Sequence, residues 1–295
     1  MVLARLMQQL RHELSVSLYI AHFNHHLRRS SNRDQKFVQR LGLELNIPVI
    51  VGERREKGSK VSEDQARRLR LGFFSGVMRH LKADALALAH TENDTAETVL
   101  MRLLRGSGLC GLRGILAERH IDGLRIIRPL LEVSRPQIEG YLKRNNLRFC
   151  VDETNRSTQF LRNKIRLKLL PQLAKEYNPK ISAVLNDLAA SAGDDYDFLQ
   201  QVLAQRIKEN VVSSKTTVRM GLAFLQRQHP ALRRLLMRHA FERLTGDFKQ
   251  LEFKHIAQAQ ELLQKPAGSI THWPRAIVVK RQKKCLEFHL CGVQL

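Results

Sequence analysis

ALAHTENDTAETVLMRLLRGSGLCGLRG, residues 87–114, decides the fold. It opens inside a short apolar run, ADALALAH (83–90), that reads as a strand and ends on His90. A helix follows almost at once. Ala96, Val99, Leu100, Leu103 and Leu104 recur at the spacing that gives one apolar face. Asp94 and Glu97 are three residues apart, so they share a different face of that helix. The helix runs out into Arg105-Gly106-Ser107-Gly108. A strand, a tight turn and a helix in this order form half of a parallel βα unit.

The same alternation extends on the N-terminal side. VSLYIAHF (16–23) and IPVIV (47–51) read as buried strands. Between them a helix follows Ser30-Ser31-Asn32, with Phe37, Val38, Leu41 and Leu45 on one side. Ser62-Glu63-Asp64-Gln65 is a capping-box pattern that opens another helix, with a stripe of Ala66, Leu69, Phe73, Val77 and Leu81. The predicted fold class is therefore α/β, a doubly wound parallel sheet. The chain itself opens on a helix, Val2 to Glu13. In such a fold a helix normally follows a strand and a phosphate-binding turn, so the expected first strand is missing, and its gap would lie in the core.

From about Gln137 the pattern becomes mostly helical, over 135–146, 160–175, 180–210, 220–244 and 251–264. TTVRM (216–220), AIVVKR (276–281) and CLEFHL (285–290) read as short strands. Pro171 and Pro179 mark a boundary zone.

Charge points to the partner. The 295 residues carry 50 Lys plus Arg against 28 Asp plus Glu, a net charge of +22. Such a chain is built to meet a polyanion, with nucleic acid first and an acidic membrane surface second. There is no run of 18 apolar residues, so no spanning helix is expected, and of the two polyanions nucleic acid rather than a membrane is taken as the partner. The N-terminus lacks a signal-peptide layout, and four scattered cysteines without a C-x-x-C pair suit reduced thiols. A cytoplasmic location is the expectation.

Three constellations carry chemistry, each beside a plainer reading. His90, Asp94 and Glu97 stand at the edge where wound sheets bind ligands, and the acids can hold a metal or an ammonium group or act as a base. They can equally be acids complementing a helix dipole, with a histidine satisfied by the backbone. Arg105 to Gly108 can clamp phosphate or simply end a helix. Arg162 and Arg166, one turn apart around Asn163, can form a two-pronged anion site or a solvated basic face. His25-His26-Leu27-Arg28-Arg29 reads better as a nucleotide or RNA loop than as a metal site, because no acid or cysteine stands at ligand spacing. Lys280 to Lys284 reads as a basic hairpin that is either a phosphate contact or a solvated turn.

Taken together, these stretches resemble tRNA(Ile)-lysidine synthetase, of the N-type ATP pyrophosphatase superfamily. AHFNHHLR (21–28), SEDQARRLRLGFF (62–74), the stretch 87–115, IIRPLLEVSRPQI (126–138), VDETN (151–155) and FLRNKIRLKLLP (160–171) match six family blocks in order. The resemblance implies a nucleotide domain of the adenine nucleotide alpha hydrolase type over 1–168 and a mainly helical tRNA-binding domain over 169–295. It implies ATP-dependent attachment of lysine to C2 of the wobble cytidine of tRNA(Ile), through an adenylated tRNA. Free L-lysine, an isoleucine tRNA with a CAU anticodon and ATP with Mg²⁺ are the implied substrates and cofactors, with no metal held by protein residues alone. A homodimer is left open.

The resemblance also carries roles. His90, Asp94, Glu97 and Arg105 take the catalytic positions. His25, Arg105, Gly106, Ser107 and Gly108 take the nucleotide. Arg67, Arg70, Arg128, Asp152, Asn155, Arg162, Asn163 and Arg166 take the RNA or lysine. The chemistry is apt: at pH 7 only on the order of one lysine amine in a thousand is neutral, so carboxylates that bind the ammonium and accept its proton would help.

Two departures from the family pattern stand out. Asn93 replaces the first of the paired acids, and no S-G-G-x-D-S loop occurs in 1–295. Three expectations follow: a start set too far downstream on an active enzyme, a tRNA-binding protein that cannot split ATP, or a gene remnant. A tRNA thiolase is a weaker alternative, because such enzymes generally use paired catalytic cysteines.

Overall fold

A computed structural model describes residues 1–26, 31–54, 62–121, 123–147 and 160–292. Its contacts divide the chain into two compact units, Met1–Gly193 and Asp194–Leu295.

In the first unit α1 (Val2–Leu10) precedes β1 (Ile20–Asn24), α2 (Ser31–Leu45), β2 (Val49–Glu53), α3 (Glu63–Leu81) and β3 (Leu86–Ala87). Then come α4 (Glu92–Leu103), α5 (Leu109–Leu112), β4 (Glu118–Ile121), β5 (Leu124–Ile127) and α6 (Arg135–Arg144). α7 (Leu161–Lys164), a π-helical turn (Ile165–Leu169), α8 (Leu170–Glu176) and the start of α9 (Ile181–Asn210) close it.

β1 pairs parallel with β2, and β3 pairs parallel with β5, as the βα pattern requires. The sheet stands in two pieces, β1-β2 and β3-β5-β4, and β4 runs antiparallel. The strands are shorter than the apolar runs that announce them. Residues 83–90 contribute only Leu86–Ala87, because a ladder extends only as far as its partner and β5 is itself short. Helix–strand approach is close. A Cβ on Gly52 would lie 2.4 Å from the Phe73 ring, so β2 meets α3 across a bare backbone.

The predicted stripes hold where a partner exists. Leu41 and Leu45 of α2 are buried with Ile47, and Ala96, Val99 and Leu100 of α4 pack with Ile165, Leu185 and Ala189. Leu103 and Leu104 are instead exposed, because α4 ends there and the chain turns away. Ser62 accepts the amide of Gln65, which confirms the cap expected for α3. α1 packs Val2 against Leu130 and Leu142.

In the second unit the rest of α9 leads to β6 (Val211–Ser213), β7 (Thr217–Gly221), α10 (Leu222–Arg227), α11 (Pro230–Thr245) and α12 (Phe253–Glu261). β8 (Ile270–Trp273), β9 (Ile277–Arg281) and β10 (Cys285–Leu290) follow. All five strands form one antiparallel sheet in the order β6-β7-β10-β9-β8. Three of them match the predicted runs, whereas β6 and β8 were not foreseen. The helix expected over 220–244 is two helices, since Pro230 lacks the N–H to continue one and instead opens α11. Met237, Phe241, Ile277, Leu286 and Phe288 are fully buried in its core. The basic stretch 280–284 spans the end of β9 and the turn into β10, with Gln282 N–H donating to the Cys285 carbonyl. Among the described residues no helix is long and apolar enough to cross a membrane.

Candidate active site

The parallel pairing of β3 with β5 builds the site. Leu86 stands opposite Ile126 and Ala87 opposite Ile127, and the Leu88 amide adds one more bond to Ile127. His90 therefore follows the carboxyl end of β3, and Arg128 follows the carboxyl end of β5. Their side chains meet at the edge where open α/β sheets take ligands. Arg128 Nε donates to His90 Nδ1 at 3.2 Å, and Arg128 Nη1 donates to the Leu116 carbonyl at 2.6 Å. With Nδ1 accepting, the ring proton belongs on Nε2. Burial drives the His90 pKa down to about 4; the Asp94 charge opposes this, while Arg128, Arg162 and Arg67 reinforce it. At pH 7 the ring is a neutral donor.

Next to it lies a closed set of two acids and two arginines. Thr91 caps α4, and its amide and hydroxyl both donate to Asp94 Oδ2, at 2.9 and 3.0 Å. Asp94 Oδ1 accepts from Arg162 Nη2 at 2.9 Å and Arg166 Nη2 at 3.2 Å. Glu97 is 2% exposed. Its Oε1 accepts from Arg166 Nε at 2.5 Å, and its Oε2 from Arg162 Nε at 3.0 Å and Arg166 Nη2 at 2.8 Å.

The spacing on both elements makes this fit. Asp94 and Glu97 share one face of α4, while Arg162 and Arg166 share a face across α7 and the π-helical turn. Ile165, 1% exposed, anchors that turn against Ala96 and Val99. Arg162 and Arg166 do work as a pair, and the anions they hold here are the protein's own carboxylates. All four carboxylate oxygens are filled, and the set is electrically neutral. The acids are not presented to solvent as an open ammonium or metal site. Among the described residues no group of three or more His, Cys, Asp or Glu side chains stands together to hold a metal.

The other expected residues fall into separate places. Asn93 Oδ1 accepts the backbone N–H of Arg135 at 2.8 Å, tying α4 to the start of α6. Arg67, on α3, lies close enough for its charge to act on His90. His25 lies beside Phe23 and under the charges of Arg70 and Arg54. Its Nδ1 is buried with no hydrogen-bond partner among the described residues, a polar atom that a nucleotide donor could satisfy.

Arg105, Gly106, Ser107 and Gly108 follow the far end of α4. Eleven residues at the helical rise put Arg105 about 16 Å from Asp94 along the axis. The structure does not bring Arg105 to the acids. There the chain forms a helix exit, with Gly106 at φ +73° and its N–H on the Leu103 carbonyl. Asn163 lies on α7 between the two arginines. Asp152 and Asn155 lie outside the described residues, as do Leu27, Arg28 and Arg29. The sequence reading missed Thr91, although T-x-x-D at a helix start is a capping signal that could have found it.

Comparison with known proteins bears on both units. A family model described as the PP-loop domain matches residues 1–173, and one described as the TilS substrate binding domain matches 222–286. A tRNA(Ile)-lysidine synthase from Dehalococcoides mccartyi is 35% identical over 92% of this chain and 60% of its own length. One from Clostridium perfringens is 35% identical over 90% of this chain and 57% of its own. A bifunctional protein TilS/HprT from Listeria monocytogenes is 32% identical over 92% of this chain and 43% of its own. The chain thus spans about 60% or less of the length of these relatives. Among solved structures, the U34-tRNA thiolase NcsA from Methanococcus maripaludis, with its [4Fe-4S] cluster, aligns with a TM-score of 0.53 at 16% identity. That alignment covers 64% of this chain and 66% of the thiolase, and at this identity it speaks for the fold alone.

Proposed function

This chain belongs to the PP-loop domain family, and on that premise we propose that it acts in the ATP-dependent ligation of lysine to the wobble cytidine of tRNA(Ile). The observation that carries the reading is the pairing of His90 with Arg128 beside the Asp94–Glu97–Arg162–Arg166 set, at the carboxyl edge of the parallel strands. The match of residues 222–286 to the TilS substrate binding domain and the +22 charge support an RNA substrate.

The reaction has two stages. The C2 oxygen of the cytosine attacks the α-phosphorus of ATP, and pyrophosphate leaves. The lysine side-chain amine then attacks C2, AMP leaves with that oxygen, and the amine gives up a proton. His25, with its unsatisfied Nδ1, and Arg105 to Gly108 are the residues assigned to the nucleotide. Mg²⁺ enters with the nucleotide phosphates. A cytoplasmic location goes with this reading.

The structure's residues divide the remaining work. His90 presents a neutral Nε2–H donor at the sheet edge. Asp94 and Glu97 hold Arg162 and Arg166 in fixed orientation. A lysine ammonium reaches these acids by replacing a guanidinium, a cation for a cation, so the acids never stand unpaired. The displaced guanidinium is then free to stabilise charge developing on phosphate. The bound ammonium gives one proton to the carboxylate that holds it and so becomes the attacking amine; the second proton, released once the C–N bond forms, leaves with the AMP phosphate.

The test is direct. The 295-residue chain, an unmodified tRNA(Ile) transcript with a CAU anticodon, ATP, Mg²⁺ and labelled lysine are incubated together. Lysine bound to RNA in proportion to AMP released supports the reading. RNA binding without lysine transfer would favour a non-catalytic tRNA-binding role for this chain.

A further inference from the structure

A second cluster of arginines lies in the first unit and serves none of the ion pairs above. Arg102 is on α4, and its Nη1 is spent on the carbonyls of Gly111 and Gly114, at 2.8 and 2.6 Å. Arg128 is 8% exposed; its Nε is spent on His90 and its Nη1 on Leu116. The half-buried Arg102 and the buried Arg128 are thus both strapped to one stretch of backbone, 111–116, which leads directly into β4. Arg119 stands on β4 opposite Ile126, and Arg67 projects from α3; both are exposed. The charges of Arg119 and Arg67 act on Arg102 and Arg128 alike; burial first, and then these neighbours, push both guanidiniums down, with Arg113 adding to this at Arg102 and Cys110 opposing it.

Among the described residues none of the four has a carboxylate partner. The contrast lies on the same sheet: Arg125 of β5 is neutralised by Glu118 at 2.8 Å. Gathering guanidiniums without a carboxylate, one of them buried and one half-buried, is unfavourable unless an anion completes the set. The remaining Nη2 of Arg128 has no protein acceptor among the described residues and is not buried, so it is available to one. The four groups come from α3, α4, β4 and the end of β5, which makes the patch broad and open at β4, where Glu118 to His120 are all exposed. That form suits a chain of backbone phosphates better than one compact triphosphate.

We propose that Arg67, Arg102, Arg119 and Arg128 form a seat for consecutive backbone phosphates of the RNA substrate, placed so that the bound strand passes His90. The proposal rests on the RNA-modifying reading above and adds the place where the strand is held. Through Arg128, the seat is linked to the imidazole by one hydrogen bond.

The exposed members allow a test that spares the fold. Binding of an unmodified tRNA(Ile) transcript is measured between about 50 and 200 mM salt for the wild type, Arg119→Ala, Arg67→Ala and Arg125→Ala. Each substitution removes one positive charge. Arg119→Ala and Arg67→Ala are expected to weaken binding roughly three- to tenfold and to flatten the log Kd against log salt line by about 0.7 to 1 each. Arg125→Ala is expected to stay within about twofold, since its charge is already matched. ATP affinity, measured by calorimetry on the same variants, is expected to stay unchanged. Wild-type affinity and slope in both seat variants would overturn the proposal, as would an equal loss in Arg125→Ala. Weakened ATP binding with intact RNA binding would reassign the seat to the triphosphate and overturn it too. A wild-type chain that binds no tRNA would sink the underlying functional reading instead.

Discussion

Arg128 Nε and His90 Nδ1, 38 residues apart in sequence, meet at 3.2 Å because each follows one of two neighbouring parallel strands. The bond fixes the imidazole tautomer and keeps the proton outward on Nε2. With burial as the main cause, His90 holds a pKa of about 4 in the fold, against about 6.5 for the free side chain. The unfolded chain therefore binds more protons in between, and stability must fall as pH drops from about 6.5 towards 4. Replacing His90 with Gln removes the titrating group. The urea midpoint of the wild type is expected to fall more between pH 7 and pH 4.5 than that of His90→Gln. Equal losses in both proteins would show that His90 titrates as it does in water.

Glu97 is the member of the acid–arginine set on which the fold leans most. It is 2% exposed and receives three charge-assisted bonds from two arginines. Glu97→Gln leaves the guanidiniums short of charge and is expected to cost about 2–4 kcal/mol, a value below the full buried-pair range because Arg162 and Arg166 keep 25% and 34% of their side-chain surface. Glu97→Gln with Arg166→Gln is expected to cost less than the sum of the single changes, by about 1–3 kcal/mol. Additive losses in chemical denaturation would mean the two side chains do not act as a pair.

The sequence made the elements legible but not their closure. Periodicity placed α2, α3 and α4, and apolar runs placed β1, β2 and β7, because these signals are local. The acid face of α4 and the arginine face near residue 164 were each visible. That they cancel one another was not, because 65 residues separate Glu97 from Arg162 and no local pattern encodes that approach. The resemblance grouped Arg105 with the acids, and the length of α4 stands between them. The Arg102–Arg119 neighbourhood went unread for the opposite reason: arginines on different elements look like ordinary solvated faces until the chain brings them together.

Asn93 replaces an acid of the resembled family, yet here it has its own partner, the Arg135 N–H at 2.8 Å. An aspartate of the same shape would accept that bond and add negative charge to the first turns of α4 and α6, where helix dipoles favour it. Asn93→Asp is expected to leave stability unchanged or to raise it by up to about 1 kcal/mol, with the gain fading at high salt. Asn93→Leu is expected to lose about 1 kcal/mol through the missing acceptor. A destabilised Asn93→Asp would mean that a further carboxylate beside Asp94 is not tolerated.

The single tryptophan gives the second unit its own optical signal. Trp273 is 4% exposed, donates Nε1–H to the His255 carbonyl at 2.9 Å and packs against Phe241 and Phe288 at ring distances of 6.0 and 5.3 Å. Its emission therefore reports this core and not the site around His90. Phe288 is fully buried at the centre of β10, with β7 on one side and β9 on the other. Phe288→Ala is expected to lose about 3–5 kcal/mol and to move the red shift of Trp273 to lower urea. The Glu97→Gln variant is expected to shift helix loss, followed by circular dichroism, while leaving the fluorescence midpoint where it was. Coincident shifts in both signals for both variants would show instead that the two units unfold as one cooperative body.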